Sequence, residues 1–297
     1  MRSGILLIDK PAGITSAGVV ARVKRALKAD KVGHAGTLDP DATGLLIILV
    51  NGATKVASYA ADGTKRYSGV VQFGLTTSTD DIAGEVLTRS ELLPDFSEVA
   101  KASQSFLGTI EQIPPRVSAV KIDGRRAHDR ARKGEEFEIK ARSVEVSRFD
   151  LAPLAPNRIS YVIECSPGTY VRSLARDLGA ALGCGGTVES IRREASGGFS
   201  VEDAIPFEEA SYETLKDWTL LLPRVTAVRL PRGQCEALLN GRQESLRVLA
   251  SHPQLGGMPS EALISYGCDG GSEYLGLLKK NGAGEIVIQV NVERSVD

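Results

Sequence analysis

The chain is expected to adopt an α+β fold, and three observations predict it. Apolar alternation at Tyr67 to Phe73, Ser143 to Phe149 and Ile159 to Cys165 has the period of half-buried strands. Amphipathic helical patterns lie among those strands rather than strictly alternating with them, which argues against a doubly wound parallel sheet. After Leu222-Pro223 the chain changes character, with short strand-like runs between glycine-rich turns, so a small β-rich module is expected at the C-terminus.

In chain order, Ile5 to Ile8 is a short strand candidate. From Ser16 onward, Val19, Val23, Ala26 and Leu27 make an apolar helix face, with Arg22, Lys24, Arg25 and Lys28 mostly elsewhere. GHAGTLDPDATG, from Gly33 to Gly44, is a loop built for close backbone approach, and Leu45 to Val50 is an unbroken apolar run that reads as a buried strand. If Tyr67 to Phe73 is a strand, Tyr67, Val71 and Phe73 share one face. A shorter helix is expected around Glu98 to Phe106. In GTYVRSLARDLG, Thr169 is a plausible N-cap, and Val171, Leu174, Ala175, Leu178 and Leu182 form one helical stripe. Strand-like runs at Thr226 to Leu230 and Glu285 to Val292 alternate with turns at Gly256-Gly257, Gly270-Gly271 and Asn281-Gly282.

Composition sets bounds. The 297 residues are 42% hydrophobic and 25% charged, ordinary for a globular chain with one or two domains. A net charge of −1 excludes a globally cationic nucleic-acid binder but not local basic patches. No apolar run nears the roughly 20 residues that span a bilayer, and Asp9 and Lys10 interrupt the only N-terminal one, so a cytoplasmic protein without a signal peptide is expected. Cys165, Cys184, Cys235 and Cys268 show no paired spacing, which favours reduced thiols.

The Gly33–Gly44 loop isolates Asp39 between rigid elements, with Pro40 stiffening the residue after it. A lone Asp in such a loop is ordinarily a turn residue. Around it stand His34, Thr37, Asp41 and Thr43, without the Cys or second His of a metal site, a nucleophile elbow or a P-loop lysine. What survives is chemistry by one ionised carboxylate, as nucleophile or base, with no metal and no cofactor. Arg172 lies off the helical stripe in the first turn, where a cation opposes the helix dipole. A carboxylate or phosphate partner would relieve that mismatch, and if the partner is Asp39 it would pull the acid's pKa down; an exposed, solvated arginine is the plainer alternative. Tyr67 is either ordinary core or a ring that stacks on a planar base, with a phenol available for proton transfer.

Between Arg116 and Lys133 seven cations (Arg116, Lys121, Arg125, Arg126, Arg130, Arg132, Lys133) face two acids, Asp123 and Asp129. This is a candidate phosphate-gripping surface, and Arg192 with Arg193 is a second.

GILLIDKPAGITS, KVGHAGTLDPDATGLL, NGATK, KRY, PPRVSAVKIDGRRAH, GTYVRSLARDLG and VESIRREASGGF occur in the order in which the bacterial tRNA pseudouridine-55 synthases, the TruB family, carry similar segments. The resemblance extends from about Gly4 to Phe199. It implies a mixed, largely antiparallel central sheet with flanking helices and a cleft across its middle, over residues 1–222, with an RNA-gripping insertion at about 113–137. It further implies a PUA-like RNA-binding barrel over residues 223–297, on weaker motifs. The reaction implied is isomerisation of uridine 55 in the TΨC stem-loop of tRNA, on a flipped-out nucleotide and with no obligate protein partner. Asp39 would be the catalytic acid, Arg172 its partner and Tyr67 the platform for the base, with His34, Lys10 and Tyr170 helping to hold the nucleotide. Asp39 attacking the sugar, attacking the base or removing a sugar proton all stay open. A related synthase acting on another RNA, or an RNA-folding protein with little catalysis, are the competing readings. The chain departs from the family pattern at Val117, Ala127-His128 and Ser78.

Overall fold

The computed structural model describes residues 2–118, 120–122 and 124–221, and the strand segments 225–229, 261–267, 273–280 and 286–294. In chain order the first unit comprises β1 (Gly4–Lys10), α1 (Ser16–Leu27), β2 (Val32–Ala35), β3 (Thr43–Val50), α2 (Ala57–Ala61), β4 (Lys65–Phe73), β5 (Leu75–Thr77), β6 (Val86–Arg89), α3 (Phe96–Ser103) and β7 (Gly108–Gln112). A short hairpin follows, β8 (Lys121–Ile122) and β9 (Arg125–Arg126), then α4 (Ala127–Arg132), β10 (Arg142–Ala155), β11 (Arg158–Cys165), α5 (Val171–Ala181), β12 (Gly186–Ser196) and β13 (Phe199–Ser200). The mixed, largely antiparallel sheet is present: its path runs β1-β3-β12-β4-β11-β10-β7, with β2 paired to β3 and β13 to β12. β14 (Val225–Arg229), β15 (Glu261–Gly267), β16 (Glu273–Lys280) and β17 (Ile286–Arg294) form a separate four-stranded sheet. The expected boundary at Leu222-Pro223, the three glycine turns beyond it, Cys235 and Cys268 lie outside the described residues.

The unbroken apolar run of β3 has a direct cause. Leu46, Ile48 and Val50 enter a core shared with Val19, Val23 and Leu27 of α1, while Leu45, Ile47 and Leu49 enter a second core closed by Trp218 and Leu221. A strand buried on both faces cannot alternate. The outer edge of β1 is covered too, because Ile5 exchanges backbone hydrogen bonds with Lys216, and Ile205 bonds both Leu7 and Asp9.

The join in the middle of the sheet matters most for the site. β3 meets β12 in parallel over only two pairs, Thr43 with Arg192 and Gly44 with Arg193. A Cβ on Gly44 would fall 2.3 Å from the Arg193 carbonyl, and its φ is +97°, so only glycine fits this crossing. From there a single row crosses the sheet: Gly44, Arg193, Tyr67, Ile163, Phe149. Residues 33–35 and 43–44 of the expected loop are strand, and the remaining 36–42 loop opens onto the junction of the two half-sheets, with Tyr67 one strand beyond Arg193.

α5 packs its predicted stripe, Val171, Leu174, Ala175 and Leu178, into the core. At its far end a Cβ on Gly179 would lie 2.1 Å from the Gly186 amide, which brings helix and β12 into backbone contact. Its N-cap is Tyr170 rather than Thr169, whose hydroxyl instead donates to the Ser166 carbonyl at 2.9 Å. α3 begins two residues earlier than expected, where the Asp95 amide donates to the Glu98 carboxylate at 2.9 Å.

Candidate active site

A cavity of about 260 Å³ opens at the sheet junction, lined by the 36–42 loop, Lys65, Tyr67, Ser118, the 168–172 segment, Ile191 and Arg193.

The acid loop is tied down at several points. Lys10 Nζ donates to the carbonyls of Pro11, Ile14 and Pro40 at 2.8, 2.7 and 2.8 Å. Ser16 Oγ donates to the Leu38 carbonyl at 3.0 Å and accepts from the Leu38 amide at 2.9 Å. Asp39 is thus held by its neighbours on both sides. Lys10, which the resemblance implies helps to hold the nucleotide, is fully buried here, and its ammonium on three carbonyls anchors the loop. Burial lowers its pKa to about 8, while Asp41 and Asp39 pull it upward.

Arg172 is buried and holds Asp39, Nη2 to Oδ2 at 3.0 Å. The same guanidinium donates to the Thr79 carbonyl at 2.8 Å and the Val117 carbonyl at 3.0 Å, and stands 3.5 Å from Asp81 Oδ2. These partners offset the cost of a buried cation in the first turn of a helix. The expected downward shift of Asp39 does not result. Burial raises its pKa, the Arg172 charge opposes that, and the Asp81 charge reinforces it. The carboxylate side chain remains 43% exposed, so water and ligand can reach it.

Tyr67 is buried beneath the cavity, with its phenol pKa raised by burial, so it stays protonated at neutral pH. Arg193, a candidate phosphate contact by sequence, is 1% exposed and donates to the Leu45 carbonyl at 2.7 Å and the Gly36 carbonyl at 3.1 Å. It is a structural cation in the pocket wall. Arg192 grips Asp9 with two hydrogen bonds of 3.0 and 2.8 Å, so a phosphate there would compete with a bidentate carboxylate. His34 sits half-buried on β2, apart from the residues that line the cavity. Tyr170 does line it, and Gln112 pins its backbone through bonds of 2.8 and 3.1 Å.

The 113–137 segment packs on a small core of Val120, Ala127 and Ile139, with Phe137 and Tyr170 against it. Its arginines are less free than a count of charge suggests. Arg125 and Arg130 both bond Glu135, at 2.8 and 2.9 Å, and Arg116 and Arg130 lie 5.1 Å from the Phe137 ring centroid. The count over 116–133 stopped just short of Glu135, Glu136 and Glu138. The side chains of Lys121, Arg126 and His128 lie outside the described residues.

Sequence reasoning missed Asp81, Thr79 and the Val117 carbonyl as partners of Arg172. The consecutive acids Asp80-Asp81 in a polar turn were the available signal. A second cavity of about 370 Å³ lies on the other side of the ion pair, sharing Asp39, Ala42, Arg172 and Ile191 with the first. Among the described residues, no His, Cys, Asp and Glu cluster has metal-holding geometry, and no helix is long and apolar enough to cross a membrane.

A loop-borne carboxylate paired with a helix arginine thus shares one cavity with a buried tyrosine in the middle of a mixed sheet. Residues 24–171 match the model of the TruB family pseudouridylate synthase N-terminal domain, and residues 172–220 that of the tRNA pseudouridylate synthase B C-terminal domain. The chain is 49% identical over 208 residues to a Ruegeria pomeroyi protein named tRNA pseudouridine synthase B, covering 70% of this chain and 69% of that one. A Leifsonia xyli protein of the same name is 44% identical over 256 residues, covering 81% and 83%. A crystal structure of a Cbf5-Nop10-Gar1 complex matches in fold, with a TM-score of 0.67 at 22% identity, over 98% of this chain and 84% of that one. The chain belongs to the TruB family of pseudouridylate synthases, which are isomerases.

Proposed function

We propose that this protein converts uridine 55 in the TΨC loop of tRNA to pseudouridine, with Asp39 as the reacting carboxylate. The observation that carries the reading is the 3.0 Å pair of Asp39 with Arg172 in the wall of a pocket of about 260 Å³ that Tyr67 also lines. The relatives' shared name, tRNA pseudouridine synthase B, supports the choice of RNA.

The reaction moves no group in or out. The N1–C1′ bond breaks, the uracil turns in place, C5 bonds to C1′, and the C5 proton is lost while N1 gains one. A nucleotide inside a folded loop must leave its stack to enter the pocket, at a cost of a few kcal/mol that RNA contacts offset. In this reading Tyr67 supports the turning base and Tyr170 flanks its entry. Arg172 fixes which Asp39 oxygen faces the ligand, and because Lys10 and Ser16 already hold the loop, no large rearrangement accompanies chemistry. The basic 113–137 segment supplies part of the grip on the stem, and the C-terminal sheet is a candidate for the rest.

The test is direct. Purified protein is incubated with unmodified tRNA, and the position of any pseudouridine is mapped. Modification at uridine 55 alone supports the reading. Modification of a different RNA or position identifies another member of the class as the better description, and tight binding without product favours an RNA-folding role.

A further inference from the structure

One helical turn beyond Arg172, the structure carries a second arginine–aspartate pair. Residues four apart on α5 project to the same side, and Arg176 Nη1 lies 3.0 Å from Asp80 Oδ2. Arg176 also donates from Nε to Asp177 at 2.8 Å and from Nη2 to the Ile113 carbonyl at 2.8 Å. Asp80 stands between Thr79, whose carbonyl receives Arg172, and Asp81, whose carboxylate stands beside it. Its backbone is left-handed, with φ at +61°, a conformation that Asp adopts more readily than most residues. Contacts fix it on two sides: the Val188 amide donates to the Asp80 carbonyl at 3.1 Å, and the carboxylate is held by Arg176.

The charge balance gives the pair a second purpose. Asp39 and Asp81 stand 3.0 and 3.5 Å from Arg172, and Asp80 lies between Thr79 and Asp81 in the same turn. With Arg176 engaging Asp80, the Arg172 guanidinium is left for Asp39 and Asp81. Ser173 Oγ joins Arg176 on the Ile113 carbonyl, at 2.8 Å, so α5 grips the 79–81 turn and the base of the 113–137 segment together.

We propose that Asp80 and Arg176 are a positioning pair: they fix the 79–81 turn, and through it the orientation of Arg172 against Asp39, without touching RNA. The proposal rests on the reading of Asp39 as the reacting acid. The full chain is therefore compared with Asp80→Asn, Arg176→Gln, Arg176→Lys, the Asp80→Asn/Arg176→Gln double variant and, as a reference, Asp39→Asn. Single-turnover product formation on saturating tRNA and the Kd for tRNA are both measured. Asp80→Asn and Arg176→Gln should each slow product formation by about tenfold with Kd within about twofold. The double variant should be no slower than the slower single one, and Arg176→Lys should recover most of the rate.

Single variants at wild-type rate, losses that multiply in the double variant, or losses confined to Kd would overturn the pair. Asp80→Asn decides alone if Arg176→Gln melts early, since asparagine tolerates the left-handed backbone and removes only charge. Wild-type turnover by Asp39→Asn would instead sink the underlying reading, whatever the pair does.

Discussion

Two arginine-rich regions meet at the start of α5, and they use the same side chain in opposite ways. In the pocket, Arg172 is buried and satisfied by two carbonyls and two carboxylates. In the 113–137 segment, Arg125 is half-exposed and shares Glu135 with Arg130. A buried, fully partnered guanidinium cannot be exchanged without leaving charges unpaired, whereas an exposed ion pair contributes about 0–1 kcal/mol and yields readily to a phosphate. In the proposed reaction, fixed charge serves chemistry and exchangeable charge serves grip.

That contrast is sharpest for Arg172→Ala against Arg125→Ala. Arg172→Ala should lower kcat by about 10²-fold or more with a smaller change in KM, and cost roughly 1–3 kcal/mol of stability through the carbonyls and carboxylates it abandons. Arg125→Ala should leave kcat and stability near wild type. Steady-state kinetics and denaturant melts measure both, and equal losses of kcat/KM through KM alone would turn Arg172 into a phosphate contact.

The pH dependence gives the next largest effect. Burial raises the folded pKa of Asp39, so if its carboxylate is the active form, kcat falls with decreasing pH through a value above that of an ordinary aspartate. Arg172→Ala removes the opposing charge and should move that limb to still higher pH. The linkage has a definite sign: between the unfolded and the raised folded pKa the native state binds more protons, so stability falls as pH rises through that window. Asp39→Asn should accordingly melt no lower than wild type at neutral pH.

Smaller effects belong to the exposed region. Neutralising Arg125, Arg130 and Arg132 together should weaken tRNA binding and flatten its salt dependence, with kcat on saturating RNA unchanged. An unaltered slope removes the segment from the interface. Glu135→Gln is predicted to act in the reverse sense, tightening binding by about two- to fivefold, because it removes the negative charge that Arg125 and Arg130 share. Weaker binding would show that Glu135 holds the segment in its binding shape.

Much of this was legible in the sequence because it is local. The buried strand Leu45–Val50, the stripe on α5 and the isolated Asp39 follow from periodicity and glycine placement, and family motifs joined Asp39 to Arg172 and Tyr67. What escaped depends on contacts across the fold. That Lys10 and Arg193 are buried, with the carbonyls of Pro40 and Leu45 beside them, has no signature in the local sequence. Asp81 is an ordinary acid in a polar turn until Arg172, ninety-one positions along the chain, reaches it. The direction of the Asp39 shift was misjudged for the same reason, since the ion pair is visible in sequence and the burial that outweighs it is not.

The central claim is that one charged carboxylate on a preorganised loop does the chemistry, while the surrounding cations hold it or hold RNA. Asp39→Asn tests this most directly, with tRNA binding and product formation measured on the same preparation. Wild-type Kd together with a loss of about 10³-fold or more in product formation is predicted. Product formation at the wild-type rate would contradict the account.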